Sequence, residues 1–238
     1  MDLINNSKYK IILGSSSSRR KQLLEMTGIN FSIKTLPVKE NFPDKLIGKE
    51  ISEYLVLKKT EPFKKIITKE EIIITADTLV WFKNKCFGKP KNKNEAKEML
   101  SLFSANTHSV ITSVGFLTPQ KFEIMTESTE VSYKNLNNDE IDYYVETVNP
   151  IDKAGSYGIQ DWIGMIGVEN IVGSYTSVLG LPIPQVINKI SSIIENKLPD
   201  EIQIHNWDVQ NLFFGGVNAV TPNEAVGDPR RGGTGIVN

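Results

Sequence analysis

A serine-rich turn near the start organises this chain: Leu13-Gly14-Ser15-Ser16-Ser17-Ser18-Arg19-Arg20. It follows the apolar run Ile11-Ile12-Leu13 and leads into Lys21-Gln22-Leu23-Leu24-Glu25-Met26, a pattern that predicts a strand, a turn and a helix in succession. Backbone N–H groups of a first helical turn, serine hydroxyls and arginine side chains all suit phosphate oxygens. A serine run before a helix is also an ordinary N-cap, and paired arginines are often solvent-exposed, so both readings stay open for this stretch alone.

Length and composition are those of an ordinary globular protein. The 238 residues suffice for one large domain or two small ones, and the net charge of −1 gives no general attraction to nucleic acid or an anionic membrane, so we expect neither as a partner. The single cysteine, Cys86, cannot form an internal disulfide, and no apolar stretch is long enough for a signal peptide or a membrane span. These observations favour a reducing compartment, and the expected location is cytoplasmic.

A second informative stretch is an apolar run with one acidic residue, Glu71-Ile72-Ile73-Ile74-Thr75-Ala76-Asp77-Thr78-Leu79-Val80-Trp81. Such a run is typical of a strand that is buried on both faces. An unpaired carboxylate is costly to ionise in that environment. We therefore expect Asp77 at the end of the strand or in a cleft.

Periodicity predicts the other elements. Helical spacing occurs around residues 51–58, after a capping box at Asn137 and Glu140, and from about Pro184 to Asn196. It also predicts a helix from about Asn94 to Phe103 with four inward residues, Ala96, Met99, Leu100 and Phe103. Strand patterns occur at Ile29–Leu36, Ser109–Thr118, Phe122–Tyr133 and around Ile163–Val172, and the second and third of these are expected to form a hairpin. The segment Lys153–Gln160 is polar and punctuated by glycine, which is typical of a site loop rather than of a core.

The serine and arginine turn, the carboxylate Asp77 and the loop lysines Lys59, Lys89 and Lys153 together fit a polyphosphate substrate. Cleavage of a phosphoanhydride by water needs neutralised phosphate oxygens and an oriented water molecule. Because Mg²⁺ is commonly held by one or two carboxylates, Asp77 with Glu40 would suffice. Taken singly, Lys89 is also explained by turn chemistry, Glu40 by a solvated loop and Asp77 by a cap.

The two histidines are weaker candidates. His108 is more often a hydrogen-bonded structural residue than a base, by about two to one, and His205 lies in the C-terminal tail.

Six stretches resemble, in the same order, signatures of the Maf (septum-formation) nucleoside triphosphate pyrophosphatases. They are Leu13–Arg20, Ala76–Val80, Gly88–Pro90, His108–Thr112, Asp152–Gln160 and Gly180–Pro182. The resemblance spans about residues 9 to 196 and departs from the family at Gly14, usually alanine, and at Ser18, usually proline. We expect Ser18 to serve as the N-cap of the following helix.

The resemblance implies a Maf/ITPase-like α/β fold, with a mixed, twisted sheet flanked by helices and a cleft between two lobes, and a homodimer. It implies hydrolysis of a nucleoside triphosphate between the α and β phosphates, which gives the monophosphate and pyrophosphate, with a divalent metal cation, Mg²⁺ or Mn²⁺.

Roles carried over by the resemblance fall on nine residues. Ser15, Arg19 and Arg20 would bind phosphates. Glu40 and Asp77 would hold a metal ion or activate water, and Lys59 and Lys89 would stabilise negative charge. Members directed at dTTP and UTP carry Arg, Thr and Gln at positions that fall on Arg20, Thr78 and Gln160, so a dTTP/UTP enzyme is expected. Members that act on 7-methyl-GTP differ at these positions.

The tail is predicted to be separate from this domain. We expect a Maf-like domain at residues 1–198 and an irregular appendage at 199–238, where Phe213–Val220 and Gly227–Gly233 are similar to the extreme C-terminus of γ-glutamyltranspeptidases. The tail lacks that family's catalytic regions, so a γ-glutamyl enzyme is a distant alternative. A non-catalytic nucleotide-binding regulator of cell division is a nearer one. Asp77 distinguishes the pyrophosphatase from such a regulator, because a protein that only binds a nucleotide has no need of a carboxylate beside the phosphates.

Overall fold

A computed structural model describes residues 1–195 of the chain. Its strands are β1 (Lys10–Leu13), β2 (Phe31–Ile33), β3 (Glu71–Phe82), β4 (Lys85–Phe87), β5 (Thr107–Leu117), β6 (Phe122–Tyr133) and β7 (Val168–Val172). The α-helices are α1 (Asp2–Asn5), α2 (Ser18–Glu25), α3 (Lys49–Thr60), α4 (Lys93–Phe103), α5 (Asn138–Val148), α6 (Trp162–Gly167), α7 (Tyr175–Val178) and α8 (Ile183–Glu195). The predicted appendage, residues 199–238, lies outside the described residues.

All seven of these strands form one mixed sheet, in the order β2-β1-β3-β5-β6-β7, with β4 paired to β3. Strand β1 is parallel to both β2 and β3, and the remaining pairs are antiparallel. Helices flank this sheet, so the predicted α/β class is confirmed. None of the helices in residues 1–195 is long and apolar enough to cross a membrane.

A gap in the pairing of β3 creates an opening at one edge of that strand. β1 pairs with β3 only as far as Ile74, and β4 pairs with β3 only from Val80 onward. Between these points, residues 75–79 of β3 pair with β5 alone. The serine-rich turn follows the end of β1, so it lies beside this unpaired edge.

Two hydrophobic cores form around the sheet. One packs α4, α5 and α6 against the C-terminal half of β3, with Phe103, Tyr144 and Ile163 fully buried. The other packs α2 and α8 against β1 and the N-terminal half of β3, and it includes Leu24 and Ile190. This division agrees with the predicted two-lobed shape.

Several predicted elements are confirmed. The four inward residues expected for the helix that ends at Phe103 are the four that α4 buries: Ala96, Met99, Leu100 and Phe103. The hairpin of β5 and β6 is present, and Asn137 and Glu140 form the expected capping box at the start of α5.

Other predictions need correction. The strand expected around Ile163–Val172 is a strand only from Val168, because residues 162–167 form α6, and a short apolar run does not distinguish a helix from a strand. The N-cap of α2 is Ser17, and Ser18 is the first helical residue. Proline is also favoured at that first position, so serine there leaves the helix start unchanged.

Candidate active site

A polar cavity of about 580 Å³ lies where β1 ends and β3 has its unpaired edge. In open α/β sheets, ligands bind outside the carboxyl ends of the strands, and the cavity has this position. It is lined by all nine residues to which the family resemblance gave a role: Ser15, Arg19, Arg20, Glu40, Lys59, Asp77, Thr78, Lys89 and Gln160. The loop lysine Lys153, which the sequence also indicated, does not line the cavity, and its ammonium group pairs with Asp152 at 2.9 Å and with Asp161 at 3.7 Å.

The serine-rich turn both caps a helix and lines the cavity. Ser17 accepts a hydrogen bond from the backbone N–H of Arg20 at 3.4 Å, which makes it the N-cap of α2. Ser15 Oγ accepts from the Ser17 N–H at 3.3 Å and from Arg20 Nη1 at 3.2 Å. The two sequence readings of this turn are therefore compatible, since the cap is local and other polar groups face the cavity.

Arg20 is held in one orientation by three hydrogen bonds that it donates. Its Nε donates to Gly180 O at 2.9 Å, its Nη1 to Ser15 Oγ, and its Nη2 to Thr78 Oγ1 at 3.1 Å. Burial lowers the pKa of this guanidinium, and the charge of Asp77 acts in the opposite direction. A guanidinium has five N–H groups, so two remain for a ligand.

Arg19 contacts the other side of the cavity. Its Nη1 lies 3.8 Å from Asp152 Oδ2, which belongs to the short 3₁₀ turn Pro150–Asp152. Burial raises the pKa of Asp152, but the hydrogen bond and charge of Lys153 and the charge of Arg19 outweigh it, so the pKa lies below its usual value. This pair joins the serine-rich turn to the predicted loop Lys153–Gln160.

Three charged side chains meet in the middle of the cavity. Lys59 Nζ, near the end of α3, lies 2.5 Å from Asp77 Oδ1 and 3.0 Å from Glu40 Oε1. The sequence predicted that Asp77 lies at the end of a strand or in a cleft, and the first of these alternatives is wrong. Asp77 is in the interior of β3, only 7% exposed, and it reaches the cavity through the gap in the pairing of that strand.

The two carboxylates differ in acidity. Burial raises the pKa of Asp77 above its usual value, despite the opposing charges of Lys59 and Arg20. For Glu40, burial also acts upward, but the charges of Lys59, Lys89 and Arg20 outweigh it and hold its pKa below the usual value. The cavity therefore makes Asp77 a stronger base than an ordinary aspartate and Glu40 a weaker base than an ordinary glutamate.

Two carboxylates of the cavity, Glu40 and Asp77, are candidates to hold a metal ion. Within residues 1–195, no three or more His, Cys, Asp or Glu side chains come together as a metal site. Glu40 and Asp77 do converge on one cation, the ammonium group of Lys59. Mg²⁺ is usually held by one or two carboxylates together with substrate phosphates, so this pair fits a metal that binds with a nucleotide.

His108 is structural, as the sequence favoured. It is 2% exposed, its Nε2 hydrogen bonds to the Tyr157 hydroxyl at 2.7 Å, and its ring packs on Phe103 with 4.5 Å between centroids. Burial lowers its pKa to about 4. It does not line the cavity.

The cavity is also lined by residues to which sequence reasoning gave no role, among them Cys86, Asp152 and Gly180. Burial raises the pKa of the Cys86 thiol to about 11, so it is protonated at neutral pH. Asp152 and Gly180 lie inside stretches that carried the resemblance, which was the available signal. Their contacts with arginines 19 and 20 depend on the folded chain and have no signature in spacing.

The mixed sheet and its polar cavity define an α/β protein with a ligand site of the nucleotide-binding kind. A family model described as Maf-like protein matches residues 10–193, and the chain belongs to this family.

Named relatives are similar over most of the chain. The chain is 45% identical over 192 residues to a dTTP/UTP pyrophosphatase of Phocaeicola vulgatus, which covers 80% of this chain and 100% of that protein. It is 42% identical over 187 residues to a dTTP/UTP pyrophosphatase of Flavobacterium johnsoniae, covering 79% of this chain and 96% of that protein. Among solved structures, the Ham1 protein of Staphylococcus aureus has a TM-score of 0.44 at 12% identity, over 78% of this chain and 98% of that chain.

Proposed function

We propose that this chain is a nucleoside triphosphate pyrophosphatase that hydrolyses the α–β phosphoanhydride of dTTP and UTP to the monophosphate and pyrophosphate. The observation that carries the proposal is the placement of Lys59 between Asp77 and Glu40, in the cavity that Arg19 and Arg20 also line. Relatives that bear the name dTTP/UTP pyrophosphatase, at 42% and 45% identity, support it.

Four cationic side chains in the cavity would neutralise the charge of the triphosphate: Arg19, Arg20, Lys59 and Lys89. The whole chain has a net charge of −1, so this local positive charge is a property of the site. Fixed donors aimed at phosphate oxygens stabilise the charge that develops as the anhydride breaks. Arg20 contributes most to orientation, because three of its donors are already fixed by the protein.

Asp77 is the proposed general base. Its raised pKa brings it closer to neutral pH than an ordinary aspartate, which improves proton transfer from an attacking water. Lys59 keeps the carboxylate ionised and oriented through their hydrogen bond. The water oxygen would bond to one phosphorus of the α–β anhydride, and the proton of the water would pass to Asp77. The anhydride oxygen would leave with pyrophosphate after attack at the α-phosphorus, or with the monophosphate after attack at the β-phosphorus.

A divalent cation, Mg²⁺ or Mn²⁺, is proposed as the cofactor, held by Glu40 together with the substrate's phosphates, while Asp77 beside it accepts the proton of the water. When bound, it would neutralise phosphate charge. The high negative charge of a triphosphate beside two carboxylates argues for such a cation, and it also argues against a purely regulatory nucleotide binder.

A preference for dTTP and UTP over 7-methyl-GTP is proposed from Arg20, Thr78 and Gln160, all of which line the cavity. A homodimer is proposed on the resemblance alone, and a cytoplasmic location is proposed on the single cysteine, Cys86. Light scattering on the purified full chain would test the dimer.

The test is a panel of dTTP, UTP, CTP, GTP and 7-methyl-GTP with Mg²⁺ or Mn²⁺, scored for pyrophosphate and monophosphate. We expect hydrolysis of dTTP and UTP, and a loss of at least about 100-fold in D77N. The matched control is D142N, which removes a carboxylate that pairs with Lys97 on the surface and is expected to keep full activity. No hydrolysis, or full activity in D77N, would contradict the mechanism, and a preference for 7-methyl-GTP would contradict the specificity.

A further inference from the structure

A chain of hydroxyl groups lies beneath Arg20. Thr112 is fully buried on β5, directly opposite Thr78 of β3 in the sheet register. Thr112 Oγ1 lies 2.8 Å from the backbone oxygen of Ser177 and 2.9 Å from Thr78 Oγ1. Thr78 Oγ1 in turn receives a hydrogen bond from Arg20 Nη2.

Counting protons fixes the direction of this chain. A carbonyl oxygen only accepts, so the single hydroxyl proton of Thr112 is donated to Ser177 O. Thr112 therefore has no proton left for Thr78, and Thr78 must donate its own proton to Thr112. The Thr78 oxygen then presents only lone pairs, of which one accepts from Arg20 and one is left at the cavity wall.

Thr112 also holds the backbone that supports Arg20 from the other side. The segment from Ser177 to Gly180 is tied to β5 by the Thr112 hydrogen bond, and Gly180 O accepts from Arg20 Nε at 2.9 Å. One buried hydroxyl therefore acts on Arg20 through two routes, Thr78 and Gly180.

We propose that Thr112 is a positioning residue that fixes Thr78 as a hydrogen-bond acceptor and thereby makes the site selective for uracil and thymine over cytosine. This inference rests on the proposed function. In a nucleotide, uracil and thymine have a single N–H donor on the base, at N3. Cytosine has a lone pair at N3, so cytosine at the same position would place two acceptors against each other, a desolvation cost without a hydrogen bond.

The test measures binding without chemistry. Isothermal titration calorimetry would compare the non-hydrolysable α,β-methylene analogues of UTP and CTP on the full chain with Mg²⁺, in the unmodified protein, T112V and T112S. We expect a uridine preference of about tenfold or more, its loss in T112V because Thr78 regains a free proton, and its retention in T112S, which keeps the hydroxyl. S113A is the matched control, since Ser113 is the next residue of β5, is fully buried and bonds instead to Ser52 and Thr126.

The outcomes separate this inference from the proposed function. An unchanged uridine preference in T112V, or a cytidine preference in the unmodified protein, overturns the role of Thr112. Selective binding that depends on Thr112, in a protein that does not hydrolyse UTP, supports the inference and contradicts the pyrophosphatase. Failure to bind either analogue overturns both. If T112V does not fold, T112C replaces it, because a thiol of similar size donates only weakly.

Discussion

Lys59 Nζ lies 2.5 Å from Asp77 Oδ1, and this contact joins the end of α3 to the interior of β3. Both side chains are largely buried, with 16% and 10% of the side-chain surface exposed. The lysine favours the ionised form of a carboxylate whose pKa burial raises. The balance of these two effects sets the pH range in which Asp77 can accept a proton.

Lys59→Gln is expected to move the acid limb of the pH–activity profile. Removal of the lysine leaves burial less opposed, so the pKa of Asp77 rises and activity is lost at a higher pH than in the unmodified enzyme. The profile of kcat/KM for dTTP measures this shift. Lys64→Gln is the control, because Lys64 pairs with Glu61 outside the cavity, and an acid limb that does not move in Lys59→Gln would contradict the assignment of Asp77 as the base.

Arg20→Lys is expected to lower kcat/KM by about 100-fold, although it keeps the charge, because lysine cannot donate in the planar pattern that Gly180, Ser15 and Thr78 require. Arg19→Lys is the comparison. Arg19 makes a 3.8 Å ion pair with the exposed Asp152, so its replacement by lysine should cost less. Equal losses in the two variants would show that the fixed orientation of Arg20 does not matter.

His108 makes the fold sensitive to acid. Its pKa is about 4 in the folded protein and about 6.5 in the unfolded chain, so the unfolded state binds the proton first as pH falls. Stability from this residue is complete above about pH 6.5 and is lost between pH 6.5 and 4, by up to about 3 kcal/mol. The cause is burial, and Nδ1 of His108 has no hydrogen-bond partner among the described residues.

Urea unfolding of the unmodified protein and His108→Gln at pH 8, 6 and 5 measures this effect. The difference between the two proteins at pH 8 reports lost packing, and we expect that difference to shrink as pH falls. A difference that is constant with pH would contradict the assignment.

Gly155 and Gly28 form a matched pair for testing the site loop. Both have positive φ, +69° and +73°, but a Cβ at Gly155 would lie 2.6 Å from Val80 Cγ2, whereas nothing lies within 4 Å at Gly28. Gly28→Ala should cost about 1 kcal/mol and keep activity. Gly155→Ala should cost more and also lower activity, because Gly155 belongs to the segment that carries Gln160. Similar melting temperatures and activities would contradict this account of the loop.

Elements of the fold could be predicted where a local residue pattern is compatible with only one kind of secondary structure. The four inward residues of α4 and the capping box of α5 are local signals, and both are confirmed. Residues 162–167 were misassigned because six residues of apolar sequence do not reveal a period. The position of Asp77 inside β3 was missed for another reason, since the gap that exposes it arises from where β1 ends and β4 begins, and these are long-range pairings.

The candidate site was predictable as a set of residues but not as a set of contacts. The resemblance named nine residues, and the fold brings all nine to one cavity. It did not indicate that Lys59 bridges Asp77 and Glu40, or that Thr112 underlies Thr78. Such contacts depend on side-chain positions in a tertiary structure, and chain spacing carries no information on them.

The products of dTTP hydrolysis test the central claim most directly. Phosphorus-31 NMR of dTTP incubated with the full chain and Mg²⁺ distinguishes the two anhydride bonds. The proposed enzyme gives dTMP and pyrophosphate in equal amounts, and D77N leaves dTTP intact. Formation of dTDP and inorganic phosphate, or unchanged dTTP with the unmodified protein, would contradict it.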